Sequence, residues 1–394
     1  MLRKIHKISK GQKVLVFLVL FFLNIGLKSL FPDEADNNWS IYVVFFCMLA
    51  SFGALGISRS IAGRNYQKLF VLAFIFYLYL FTSSLLGDTQ YGLAKACLGL
   101  LVPFTLATFF GRYEWTEDEI FRYITYAVGI ICLVAIIYKL RTGFFDRQQN
   151  YGLLGPIPFG WVSGMAFLSV VLRKERYFFH LFGAIFFFLM IIWSGSKGPF
   201  IAVLALSVLR FNRILGDKII VKIFVCVLLI IGIYLVFTYG QNSRIVTSIQ
   251  AYVQDPEGFS KGLGKGSVGQ RQENYSRAIN LFFQNPIVGV GFGGWASGAY
   301  YQEKYPHNIL FELASETGLI GIFLFIFFIF KLNKKNTIMW IGYFGLLALM
   351  FSGDFSYLRY SLYPILMGSF VKTASDGIGN GGLRPIKKRL FQSG

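Results

Sequence analysis

The sequence predicts an all-α polytopic membrane protein with about 12 transmembrane helices. Hydrophobic residues make up 55% of the chain, charged residues only 14%, and the mean hydropathy is +0.57. Soluble domains carry roughly a quarter charged residues. Apolar runs near the length of about 20 residues that a spanning helix needs recur along the whole chain. Basic residues gather in the short loops between alternate runs, which is the positive-inside pattern of membrane proteins.

The apolar runs define the predicted spans, which lie near 14–31, 39–57, 69–86, 91–110, 120–140, 156–172, 177–194, 198–211, 219–239, 307–330, 337–352 and 356–371. The basic loops fall on one side if every run is a span, so we expect both termini in the cytoplasm of a multi-pass inner (cytoplasmic) membrane protein.

The net charge of +19 comes largely from these loops, and its distribution argues against nucleic-acid binding. The four cysteines lie inside apolar runs, which is typical of small buried side chains rather than a disulfide or metal site.

The longest connection, residues 240–306, is then predicted on the outer face. An amphipathic helix is expected over 271–283 and should end at Asn285-Pro286. The following GVGFGGW (289–295) contains GxGxxG, but no βαβ unit surrounds it, so a dinucleotide site is not indicated. These glycines either let backbone segments pack closely or present N–H groups to an anion.

Residues 305–330 start as a polar helix and end as an unbroken apolar run. Pro306 suits a first helical turn, and Asn308, Glu312 and Glu316 step by four along one face, with His307 beside them. Glycines at 318 and 321 are expected to leave room for a neighbouring helix. The pattern indicates either a site at the membrane edge or a capped helix end in the headgroup layer.

Basic residues on the outer face have no topological reason to be there, and a cation at the membrane costs a few kcal/mol unless it is paired. They pair with nearby acidic side chains or lipid headgroups, or they bind an anionic substrate. The residues concerned are Arg147, Lys197, Arg244, Arg271, Arg277, Lys304 and Arg359. Aromatic residues around Trp295 and Tyr305 favour an interfacial belt over stacking on sugars.

Four segments, in this order, resemble the membrane-embedded O-antigen ligase and O-antigen polymerase superfamily. They are SGSKGPF (194–200), GQRQENYSRAINLFFQNPIVGVGFG (269–293), PHNILFELASETGLIG (306–321) and SGDFSYLRY (352–360). The resemblance covers about half the chain, from residue 190 onward. One departure is Lys197, where the family usually has arginine. A lysine keeps the attraction for phosphate but loses bidentate geometry.

The resemblance implies a GT-C-like bundle with one long extracytoplasmic loop. It also implies transfer of a glycan from an undecaprenyl-pyrophosphate carrier to an acceptor sugar hydroxyl, without a metal or other cofactor. The implied organisation is 1–189 as N-terminal helices, 190–371 as the catalytic region with outer loop 240–306, and 372–394 as a basic cytoplasmic tail. Implied partners are the carrier-linked glycan, membrane lipid and a chain-length regulator protein.

The implied catalytic residues are His307, Arg271 and Lys197, since cations offset the charge of a pyrophosphate leaving group and a histidine titrates near neutral pH. Glu312 or Glu316 either orients the imidazole or pairs with a neighbouring cation. The remaining substrate-binding candidates are Arg277, Arg244 and Asn308, together with both glutamates.

Several functions remain open at this point. A polymerase of O-antigen, capsule or exopolysaccharide repeat units is favoured over a ligase that joins glycan to lipid A core. A transporter predicts inverted repeats that the sequence does not display. A membrane acyltransferase would lack arginines that face a pyrophosphate.

Overall fold

The computed structural model describes residues 9–26, 64–144, 151–152, 154–173, 178–209, 267–296, 305–332, 336–351 and 353–371. These residues are helical apart from turns and one isolated bridge between Tyr151 and Leu154. The helices are α1 (Lys10–Gly26), α2 (Arg64–Ser84), α3 (Thr89–Ala96), α4 (Val102–Phe110), α5 (Glu117–Thr142), α6 (Pro156–Val171), α7 (Phe178–Trp193), α8 (Lys197–Leu209), α9 (Ser267–Gln284), α10 (Ile309–Leu332), α11 (Met339–Leu349) and α12 (Leu358–Gly368). A π-helical turn, Cys97–Leu101, joins α3 to α4, and a 3₁₀ turn, Phe355–Tyr357, precedes α12.

The all-helical class and the membrane character are confirmed. Three helical runs are long and apolar enough to cross a membrane, namely Thr89–Phe110, Glu117–Thr142 and Ile309–Leu332. Shorter apolar helices occupy five more of the predicted spans. The predicted spans 39–57 and 219–239 lie outside the described residues, so the count of about 12 stays a prediction.

One end of the bundle is held by ion pairs between helix termini. Thr116 and Glu119 form a capping box at the start of α5, and Lys13 of α1 lies 3.0 Å from the Glu119 carboxylate. Asp118 binds Arg173, which follows α6, at 2.8 Å. Lys13 and Arg173 belong to two of the predicted cytoplasmic segments, so this end of the bundle corresponds to the predicted cytoplasmic side.

The opposite end joins α1 to α12. The guanidinium of Arg359 is buried and donates to the carbonyl of Asn24 at 2.9 Å and to that of Ser356 at 2.5 Å. The first bond satisfies a carbonyl group in the last turn of α1, where the carbonyls have no intrahelical partner, and the second bond ties Arg359 to the turn before α12. Arg359, which the sequence placed among the outer cations, therefore stabilises the contact between α1 and α12.

Helix α10 is broken at Gly318, where φ is 62° and ψ is −160°. The N–H groups of Leu319 and Ile320 donate to the carbonyls of Pro286 and Ile287, at 2.9 and 3.3 Å. A Cβ at Gly318 would collide with the backbone of Ile287. The expectation that Gly318 admits a neighbouring helix is wrong, because an irregular backbone segment takes that place.

Gly318→Ala should destabilise the protein, because alanine resists a positive φ and its Cβ would meet the backbone of Ile287. We expect the free energy of unfolding to fall by about 1–3 kcal/mol. The matched control is Gly129→Ala in α5, where nothing lies within 4 Å of the added Cβ. Thermal unfolding in detergent measures both variants, and equal melting temperatures would contradict the close backbone approach.

Candidate functional site

The glycine segment, Gly289–Trp295, folds around a carboxylate of the same chain. The N–H groups of Gly293 and Trp295 donate to the Glu316 carboxylate at 3.0 and 3.3 Å. Gly293 has a positive φ of 86°, and a Cβ there would press on the backbone of Asp88 and Gly92. Both sequence interpretations hold for this segment, since the glycines pack closely and also present N–H groups to an anion. That anion is Glu316.

A buried lysine completes the arrangement. The Lys95 Nζ lies 2.6 Å from Glu312 and 2.7 Å from Glu316, and all three side chains are almost completely buried. The second oxygen of Glu312 accepts from the N–H of Phe355 at 2.9 Å. The Lys95 ammonium also lies 4.5 Å from the ring centroid of Phe292, within reach of a cation–π contact. We refer to Lys95, Glu312 and Glu316 as the buried triad.

The triad decides between the two roles that the sequence left open for the glutamates. Glu312 and Glu316 pair with a neighbouring cation, Lys95, which the sequence analysis did not single out. Direct contact of either carboxylate with substrate stays a prediction. The missed signal was available, because Lys95 is the lone basic residue inside the predicted span 91–110, and a charged residue within a span marks a functional or structural centre.

His307 precedes α10 and does not belong to it. The helix begins at Ile309, so Pro306 and His307 lie before its first turn, contrary to expectation. His307 has a φ of 63°, the only positive value among non-glycine residues that the structure describes. Such a conformation costs of order 1–3 kcal/mol and persists only where its surroundings enforce it. Its ring lies edge-on to Tyr305, with centroids 4.5 Å apart.

Asn308 fixes this turn. Its Oδ1 accepts from the N–H groups of Leu310 and Phe311, at 2.9 and 3.3 Å, as a helix N-cap. Its Nδ2 donates to the carbonyl of Met350 at 2.8 Å. The described contacts of Asn308 therefore position the His307 turn, and its predicted contact with substrate remains untested.

Helix α9 brings Arg271 to the same end of α10. Tyr275, one turn after Arg271, stacks on Phe311 with ring centroids 4.7 Å apart. The pKa of the Tyr275 hydroxyl is raised, because the effect of burial exceeds the lowering effects of the nearby Arg271 and of a hydrogen bond with Asn308. Arg271 is partly buried and forms no salt bridge within the described part of the chain. A cation and an imidazole are thus carried on adjoining segments.

The other predicted site residues lie in different settings. Arg277 donates to the carbonyl of Trp295 at 3.3 Å and stacks over its ring at 4.2 Å. Trp295 is completely buried, so for this residue the expected interfacial belt is wrong. Lys197 begins α8 and is partly buried. Its approach to Arg271 and His307 stays a prediction, and Arg244 lies outside the described residues.

The comparison with known families covers three of the four segments that carry the resemblance, and residues 352–360 lie beyond the match. The sequence model of the family described as O-Antigen ligase matches residues 182–326. No curated protein gives a significant match. The resemblance to the O-antigen ligase and polymerase superfamily is confirmed, and it indicates glycan transfer in polysaccharide biosynthesis. The matched segment contains Lys197, Arg271, Arg277, the glycine segment, His307, Glu312 and Glu316.

Lys95→Met should strongly destabilise the protein, because it leaves two carboxylates buried without their cation. Removing one partner of a buried ion pair costs about 3–5 kcal/mol. The triple variant Lys95→Met/Glu312→Gln/Glu316→Gln removes all three charges and should recover much of that loss.

The exposed Lys68→Met is the control and should change the free energy of unfolding by less than about 0.5 kcal/mol. Thermal unfolding of the purified variants in one detergent compares them. A single variant as stable as the triple variant would show that the triad charges do not depend on one another.

Proposed function

We propose, with the O-antigen ligase domain at residues 182–326 as the premise, that the protein transfers a glycan from undecaprenyl pyrophosphate to an acceptor sugar hydroxyl. The favoured reaction is polymerisation of repeat units of O-antigen, capsule or exopolysaccharide. The observation that carries this proposal is the meeting of α9 with the start of α10. There, Arg271, which forms no salt bridge with a residue that the structure describes, and His307 in a strained turn share one end of the bundle.

In this reaction the bond between the sugar anomeric carbon and the pyrophosphate oxygen breaks, and a bond from the acceptor oxygen to that carbon forms. Pyrophosphate leaves with additional negative charge, which a fixed cation stabilises more in the transition state than in the ground state. Arg271 offers a guanidinium fork for two phosphate oxygens. Lys197 adds a point charge, with support from Arg277 and Arg244. We propose that these cations offset the charge without a metal ion.

The acceptor hydroxyl must lose its proton as the new bond forms. A neutral imidazole nitrogen can accept this proton as a general base. The Asn308 cap and the strained backbone hold His307 in one place before α10, which favours a fixed orientation towards the acceptor. His307 then takes the proton and releases it to solvent after transfer.

The buried triad has a positioning role in this proposal. Glu316 holds the glycine segment, and Glu312 holds the segment that begins α12. Both carboxyl groups thereby fix backbone segments that pack against the first turns of α10. Their effect on substrate binding would then be indirect.

The proposed location is the inner membrane, with both termini in the cytoplasm and the site facing outward. Support comes from the two ends of the bundle. The end with the ion pairs of Lys13 and Arg173 corresponds to predicted cytoplasmic segments, whereas His307 lies just before α10 at the other end. The proposed partners are the carrier-linked glycan, membrane lipid and a chain-length regulator protein.

A ligase reaction is the second candidate, because the description of the matching family names one. Polymerase and ligase share a donor and differ in acceptor. The test therefore uses purified protein in nanodiscs with undecaprenyl-pyrophosphate-linked repeat units. A product ladder without any other acceptor indicates a polymerase. A single transfer that requires lipid A core indicates a ligase, and no product in either case favours transport.

His307→Ala and Arg271→Ala should each lower the transfer rate at least about 100-fold, which is the scale of one lost general base or charge-stabilising group. His307→Asn is the matched backbone control, since asparagine tolerates a positive φ but has no titratable ring. It should fold as the wild type does and remain inactive.

Lys197→Arg should retain activity because it keeps the charge. The exposed Glu273→Ala, on the same helix as Arg271, should change nothing. Transfer is measured as product formed per minute at fixed donor concentration, beside expression and melting temperature. Wild-type rates in either alanine variant would remove that residue from the proposed site.

A further inference from the structure

Asn274 of α9 is a buried polar side chain with an unsatisfied donor. Only 6% of the residue is exposed, and its Nδ2 has no hydrogen-bond partner in the structure described. A buried donor without a partner costs about 1–3 kcal/mol. Buried polar groups are otherwise paired as a rule, so this amide needs an explanation.

The position of Asn274 on α9 explains why its amide has no partner. Residues three and four apart share a helical face, so Asn274 lies beside Arg271 and above the fully buried Ala278. The adjacent Tyr275 stacks on Phe311 of α10. Glu273, Ser276 and Asn280 are exposed and mark the opposite face. The unsatisfied amide therefore lies on the face of α9 that carries Arg271 to the start of α10.

We propose that Asn274 is a substrate-binding residue whose Nδ2 donates a hydrogen bond to a phosphate oxygen of the pyrophosphate donor. The inference rests on the proposed function and assigns a residue to its phosphate subsite. An amide nitrogen only donates, so it needs an acceptor. The neighbouring Arg271 guanidinium, which has no carboxylate partner among the described residues, makes an anionic acceptor the favoured one.

If Asn274 binds substrate and has no hydrogen-bond partner without it, replacing Asn274 should have opposite effects on stability and on substrate binding. In Asn274→Leu, an apolar side chain of similar volume replaces the orphan donor, so the melting temperature should stay level or rise. The KM for the carrier-linked donor should rise about 10-fold, as expected for a lost hydrogen bond to a charged group. A purely structural asparagine would instead lower stability when it is replaced.

Asn274→Asp is the second test variant, and it keeps the shape of the side chain. A carboxylate at this position repels phosphate, so kcat/KM for the donor should fall at least about 100-fold. Asn280→Asp and Asn280→Leu are the matched controls, because Asn280 is an exposed asparagine on the same helix. Both should keep the wild-type KM. If the leucine variant does not fold, the comparison of the two aspartate variants decides.

The probe for the phosphate contact is undecaprenyl pyrophosphate without a glycan, used as a competitor. Its inhibition constant should rise in Asn274→Leu by the same factor as the donor KM. An unchanged inhibition constant with a raised KM would move the contact to the glycan and overturn the phosphate assignment. Wild-type KM in both Asn274 variants would overturn the inference. If Arg271→Ala still lost donor binding in that case, the proposed function would stand without Asn274.

Discussion

The buried triad is the interaction on which the end of the bundle around the start of α10 depends. Lys95 of α3 faces Glu312 and Glu316 of α10, and the N–H groups of Gly293 and Phe355 supply the remaining bonds to the carboxylates. Each ion would cost several kcal/mol to bury alone, so the burial of each of these groups depends on the presence of the others. One lysine cannot bind every oxygen of two carboxyl groups, and backbone N–H groups bind the oxygens that it leaves.

A second constraint follows from the membrane itself, where every backbone donor and acceptor needs a partner within the protein. The break of α10 at Gly318 removes helical bonds, and the carbonyls of Pro286 and Ile287 accept the donors that are left. On the other side of the break, the Tyr79 hydroxyl donates to the carbonyl of Thr317 at 2.7 Å. The loop from Pro286 to Trp295 therefore both covers the buried triad and supplies acceptors for the broken helix. This double use explains why glycines occur on both contacting segments, since any Cβ at Gly289 or Gly318 would meet backbone.

The sequence predicted the helical class, the apolar runs, the helix of α9 and the segments that hold the site, because these follow from local periodicity and from short motifs. It could not predict that Lys95 binds Glu316, since the two residues are 221 positions apart and nothing local links them. The same holds for the break at Gly318, because a glycine in an apolar run is equally compatible with close helix contact. Asn308 was placed in a helical stripe with the glutamates, whereas its side chain caps the helix. That difference moves the start of α10 past His307 and turns a helical histidine into a strained one.

The occupation of the glycine segment has a consequence for the chemistry of transfer. Its N–H groups at Gly293 and Trp295 point at Glu316, so they are not available to a pyrophosphate. In the proposed reaction, side chains such as Arg271 of α9 would then offset the charge of the leaving group. Because the two glutamates are bound to Lys95, neither opposes that cation directly. The carboxyl groups of the triad thus hold the backbone inside the bundle, and under the proposed function Arg271, beside the start of α10, serves the anionic substrate.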